Sequence, residues 1–72
     1  MLHTGALKAA RLAGGLSLRE VADVAQVDPS AICHYESGRV RPSPGALARW
    51  QAGLFGLLRS RQQAIHEALN KL

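Results

Sequence analysis

Apolar positions recur along this chain at helical spacing, and period-two alternation is absent throughout. Leu7 and Ala10 share one face of "GALKAARLA", a segment that Thr4 can cap and Gly14-Gly15 can end. Ser17 then opens "SLRE", in which Ser17 and Glu20 can satisfy each other's exposed amides as a capping box. The helix it starts carries Val21, Ala22 and Ala25 inward. After a turn at Gln26-Val27 the chain restarts at once, with Asp28 as N-cap and Pro29 in the first helical position, where its missing N–H costs nothing. This third segment, "PSAICHYES", is too short to stand alone and must be held by its neighbours. Ile32 and Tyr35 face inward, Ser30, Cys33, His34 and Ser37 lie on the opposite side, and Gly38 suits a left-handed cap. Ser43 and Pro44 repeat the cap-then-proline signal for a fourth helix with the inward stripe Leu47, Trp50 and Leu54.

After Pro44 no proline interrupts the chain, and strong helix formers run from Leu57 onward. Leu58, Ile65 and Leu72 stand seven apart, with Leu54, Arg61 and Ala68 as an imperfect second row. That stripe is too short for an isolated coiled coil, which needs about three or four heptads. Gly53 and Gly56 are its weak points. A fifth helix or a bent continuation of the fourth is expected there, in preference to one unbroken helix.

The pattern as a whole predicts an all-α, compact four- to five-helix bundle and a single domain over residues 1–72. Its core covers about 4–54, and 55–72 form a C-terminal helical extension. Helix, tight turn, helix is the unit that lays its second helix in the DNA major groove. Charge agrees with a polyanion partner: nine Lys/Arg against five Asp/Glu give a formal net charge of +4. Between Ser37 and His66 the chain holds Arg39, Arg41, Arg49, Arg59 and Arg61 and no acidic residue before Glu67.

Other chemistries have little to stand on. One cysteine, Cys33, excludes an internal disulfide. Cys33 and His34 are adjacent on a helix and point about 100° apart, so they cannot form a thiol–imidazole pair. His3, His34 and His66 share no ligand spacing. No enzyme activity, cofactor, metal or small-molecule ligand is expected. The chain reads as having neither a membrane span nor a signal peptide, so a cytoplasmic protein is expected.

With these residues in hand, the sequence resembles the Cro/repressor-type (XRE-like) helix-turn-helix regulators, whose fold is that of the lambda-repressor DNA-binding domain. The resemblance runs from about Leu7 to Leu54, through "LKAAR", "GLSLREVA" and "VDPSAICHYESGRVRPS". It is most specific at Glu36, Gly38, Arg39, Arg41 and Pro42. It implies an ion pair between Arg11 and Glu36 that ties the first helix to the third. It also implies that Asp28, Pro29, Ser30, Cys33 and His34 present to the groove, with Arg39 and Arg41 as the main phosphate contacts and Ser17 and Arg19 as weaker ones. Two positions depart from the pattern. Gln26 stands where glycine is usual, and Leu18 replaces a residue that often touches phosphate.

The expected function is sequence-specific binding of double-stranded DNA to control transcription, as a small repressor that occludes a promoter. The alternative is a protein-interaction module, an antitoxin or adaptor built on the same fold. A core this small gains much from a second subunit. A homodimer is therefore expected, joined through Leu54, Leu57, Leu58, Ile65 and Leu69, on an operator that is an inverted repeat. Arg59 and Arg61 are expected to flank that interface or to reach the duplex backbone.

Overall fold

The computed structural model describes residues 4–72, which form four α-helices and no strand: α1 (Thr4–Ala13), α2 (Leu18–Ala25), α3 (Pro29–Glu36) and α4 (Pro44–Asn70). Each boundary has a local cause. Thr4 lies inside the first turn of α1 rather than before it. Gly15 ends α1 with φ +67°; its N–H donates to Leu12 O at 3.0 Å and the Leu16 N–H to Arg11 O at 3.0 Å, so two otherwise orphaned carbonyls are satisfied. The capping box of α2 is formed in both directions, Ser17 N–H to Glu20 Oε1 and Glu20 N–H to Ser17 Oγ, each at 3.0 Å. Asp28 Oδ1 accepts from the Ser30 N–H at 2.7 Å, and Ser43 Oγ from the Ala46 N–H at 3.2 Å.

Gln26 takes the left-handed conformation, φ 57° and ψ 46°. For a residue with a Cβ this costs about 1–2 kcal/mol. It persists because the turn is held from both sides. The N–H groups of Gln26 and Val27 both donate to Ala22 O, and Val27 packs against the core.

Leu7, Leu16, Val21, Ala22, Ile32, Trp50 and Leu54 form the core, so every helix contributes to it. Trp50, Leu7, Ile32, Leu54 and Val21 are the largest fully buried side chains, each worth about 1.5–3 kcal/mol or more in burial. Tyr35 closes α3 onto α4, its ring centroid 5.7 Å from that of Trp50. Leu18 is half-buried against the same cluster, so it covers apolar surface where a polar residue could have reached outward.

The largest difference from expectation is α4, which runs unbroken for 27 residues with no fifth helix. Gly53 does not interrupt it because Gly53 is where α2 crosses closest. A Cβ there would meet the N, Cα and Cβ atoms of Ala25, all at 3.0 Å. The glycine therefore serves packing, and the helical hydrogen bonds continue past it. Gly56 has nothing within 4 Å of such a Cβ. Beyond it Leu57 and Leu58 still pack on the core, but every residue from 59 to 72 is exposed. The result is an elongated molecule, 45 × 21 × 19 Å, whose long axis is set by α4.

The two glycines should respond oppositely to alanine. Gly56→Ala should stabilise by about 1 kcal/mol from helix propensity alone. Gly53→Ala should lose that gain and more, because the backbone of α2 must move. Thermal melts of both variants check this, a shift of about 4–8 °C per kcal/mol being the expectation for a chain of this size.

Candidate nucleic-acid interface

α2, the turn at residues 26–28 and α3 place one face of α3 inside the molecule and leave the other open. Ile32 is fully buried and Tyr35 stacks on Trp50, which fixes the helix in rotation. Pro29, Ser30 and Cys33 are then exposed, His34 is half-buried, and Asp28 is exposed at the N-cap. The exposed side is small and polar, a shape that lets the helix backbone approach base edges closely. Asp28 already accepts the Ser30 N–H, so one of its oxygens is committed to the cap.

The basic residues after α3 are placed by its C-terminus. Gly38, at φ +77°, turns the chain, with its N–H on Tyr35 O at 3.2 Å and the Arg39 N–H on His34 O at 2.9 Å. The Ser37 hydroxyl donates to the same His34 oxygen at 3.0 Å. Arg39 and Arg41 leave this turn exposed, and neither forms an ion pair among the described residues. Their full charge faces solvent beside the open face of α3.

At α2 the arrangement is mixed. Arg19 is exposed. The Ser17 oxygen is engaged in the capping box. Glu20 stands beside it, its carboxyl held below the usual range of about 4.5 by the Ser17 N–H first, then by the Ser17 hydroxyl and the nearby Arg61. That negative charge opposes a phosphate at the start of α2, so the positive charge available there is Arg19.

One ion pair ties α1 to α3. Arg11 Nε donates to Glu36 Oε2 at 2.7 Å and Nη2 to Glu36 Oε1 at 3.0 Å, a two-point contact, while Nη1 donates to Leu16 O at 2.8 Å. The two side chains are 10 % and 4 % exposed, so the pair is withdrawn from water. The Glu36 carboxylate raises the Arg11 pKa above its ordinary value despite the desolvation that opposes it, and the guanidinium stays charged.

The sequence reading did not find the part Arg61 plays. Its Nη1 donates to Gly14 O at 2.8 Å and Gly15 O at 3.1 Å, and its Nη2 lies 3.5 Å from Glu20 Oε2. Arg61 therefore ties α4 to the α1–α2 corner instead of standing free for DNA. The only signal was the Gly14-Gly15 terminus, whose carbonyls need donors. Leu54, expected at a subunit interface, is fully buried in the core and has no surface to offer a partner. Leu57 and Leu58 are half-buried on the core, whereas Ile65 and Leu69 are exposed.

The sequence model of the helix-turn-helix domain matches residues 5–54, from the start of α1 to Leu54 in α4. The chain belongs to the helix-turn-helix domain family. Comparisons with curated proteins and with solved structures returned no match. When helix-turn-helix units bind DNA, the second helix of the unit enters the major groove and the first crosses the backbone. In this chain α3 and α2 hold those two positions. Among the described residues no group of three or more His, Cys, Asp or Glu is placed to hold a metal ion, and no helix is long and apolar enough to cross a membrane. His3 lies outside the described residues.

Two experiments check this frame. Arg11→Leu should cost about 3–5 kcal/mol by stranding the Glu36 charge, and Arg11→Leu with Glu36→Leu should recover most of that loss in urea titrations. The second concerns acid stability. Glu20 has a lowered folded pKa, so its contribution is complete above about 4.5 and fades as pH falls through the folded value. The stability difference between wild type and Glu20→Gln should therefore shrink on acidification below that point, as followed by circular dichroism.

Proposed function

We propose that this helix-turn-helix domain is a sequence-specific DNA-binding regulator of the Cro/repressor (XRE-like) type, acting as a small repressor that covers a promoter. The observation that carries this reading is the juxtaposition of two features. The exposed face of α3 presents Ser30, Cys33 and His34, and the Schellman turn at Gly38 delivers Arg39 and Arg41 beside it, unpaired and solvent-facing. In the proposed complex α3 lies in the major groove. Ser30 donates to or accepts from base edges, and His34 donates to the N7 or O6 of guanine. Pro29 makes apolar contact with a thymine methyl, and Asp28 stays chiefly a cap. Arg39, Arg41 and Arg19 meet phosphates and set the register of the helix on the duplex.

A single α3 reads few base pairs, so the regulator acts as a homodimer on an inverted repeat, each copy supplying one α3 to successive groove faces about 34–36 Å apart. Its control comes from its concentration, from operator arrangement or from another protein.

Selection of bound sequences from random duplexes, followed by titration at several salt concentrations, tests the reading. Arg39→Ala and Arg41→Ala should weaken binding to all sequences alike and flatten the log–log salt slope by roughly 0.9 for each phosphate no longer neutralised. Ser30→Ala and His34→Ala should instead relax discrimination at particular base pairs by about 1–3 kcal/mol. Unchanged affinity in the arginine variants would sink the docking proposed here.

A further inference from the structure

The distal half of α4 leaves the body of the molecule and, apart from Arg61, touches little of it. Residues 59–72 are all exposed, including Ile65, Leu69 and Leu72 at 57 %, 61 % and 99 %. A helical segment of this length is marginal in water by itself. Its apolar residues are not scattered. Phe55, Leu58, Gln62, Ile65 and Leu69 follow one another at alternating spacings of three and four, a single seam along the helix that Leu72 extends just past its end at Asn70. The seam borders a groove of about 470 Å³ between α1 and α4, lined by Ala10, Ala13, Gly14, Leu58, Gln62 and Ile65. Small residues form its α1 wall, and Leu58 seals its base against Gly14. Arg61, fastened to the Gly14 and Gly15 carbonyls, holds the two walls together.

We infer that this groove receives the distal α4 of a second copy of the chain, packed antiparallel. The inference rests on the reading of the protein as a DNA-binding pair and names the surface that makes the pair. The seam itself sets the register. Antiparallel layering that matches the outer apolar residues of the seam pairs Phe55 with the partner's Leu72, and Leu58 with the partner's Leu69. Gln62 then meets the partner's Ile65. The partner's Leu69 thereby enters the groove against Ala13 and Gly14, and by symmetry Leu69 enters the partner's groove. The contact is isologous and closes on itself, so it stops at two copies. One polar residue in the central layer disfavours slipped registers at some cost in stability.

The area fits a weak, regulated dimer. The seam, its flanks and the α1 wall amount to about fourteen residues per copy, or about 500 Å² at the 30–40 Å² per residue usual in interfaces. The total of about 1,000 Å² sits at the lower bound for a specific complex. Dissociation in the micromolar range is expected, so pairing responds to the concentration of the protein. The register also sets the separation of the two DNA-reading units. Trp50, on which α3 is seated, lies about 20 Å along α4 from the two-fold axis, which puts the two α3 platforms about 40 Å apart along the helix axes. That is close to one turn of B-DNA, about 34–36 Å.

Sedimentation of the full chain across a concentration series, with two variants and one distance, tests the arrangement. Wild type should pass from monomer to dimer at micromolar concentrations. Ile65→Glu should remain monomeric with an unchanged circular dichroism melt. Ala13→Trp, on the exposed edge of α1, should also weaken pairing at least tenfold, because it fills the groove; a coiled coil of tails alone would not notice it. Spin labels at Ala52→Cys in a Cys33→Ser background should lie about 35 Å apart, whereas parallel tails would bring them within about 20 Å. A wild type that is monomeric at hundreds of micromolar, an Ala13→Trp variant that pairs normally, or the short label distance would each overturn the inference. A monomeric wild type would also remove the homodimer from the proposed function, but the docking of α3 on DNA stands or falls separately, on the duplex titrations of Arg39→Ala and Arg41→Ala.

Discussion

Arg11 and Glu36 are separated by 25 residues, yet one guanidinium covers both carboxylate oxygens of Glu36 and reaches the Leu16 carbonyl as well. It thereby joins α1, the turn into α2 and the end of α3. A pair withdrawn from water like this is weak evidence for stability in itself, since desolvation offsets much of the attraction. Its value here is positional. α3 has only eight residues and cannot hold its own direction, so its exposed face is aimed by what grips its two ends. Glu36 grips the C-terminal end, and the Asp28 cap organises the other. The turn that presents Arg39 and Arg41 begins two residues after Glu36, and inherits its placement.

The apolar core does the complementary work of fixing rotation about the α3 axis. Ile32 and Tyr35 are spent on Trp50 and its neighbours, which leaves Ser30 and Cys33 facing outward and His34 half-buried beside them. A small chain with a thin stability margin thus divides each short helix cleanly. The cost appears elsewhere. Gln26 sits in a left-handed conformation, and Trp50 Nε1 is buried with no hydrogen-bond acceptor among the described residues, a penalty of about 1–3 kcal/mol. Both lie where α2, α3 and α4 converge on the reading unit.

α4 serves the core with its first half and leaves its second half largely outside. Gly53 belongs to the first role, since α2 passes where a side chain would be, and Gly56 belongs to neither. Leu54, four residues from Trp50 on the helix, is drawn into the core with it, so the apolar surface remaining for a partner begins further along, at Ile65 and Leu69. Arg61 joins the two halves by returning to the α1–α2 corner.

Much of this was legible in the residues. The caps at Ser17, Asp28 and Ser43, the left-handed glycine at position 38 and the inward sets of α2 and α3 follow from local hydrogen bonding and helical period, which act over a few residues and leave their mark in the string. The resemblance supplied the Arg11–Glu36 pairing that spacing could not. Thr4, expected as a cap before the first helix, is already helical. What the string could not decide was the fate of α4. A glycine reads alike whether it breaks a helix or admits a neighbour. Only the approach of Ala25 to within 3.0 Å of a Cβ at Gly53 distinguishes the two. A leucine at helical spacing likewise reads alike whether it faces the core or a second chain, and an arginine whether it meets phosphate or a carbonyl 47 residues away. Those choices depend on which surfaces meet across long sequence separations, and tertiary structure made them.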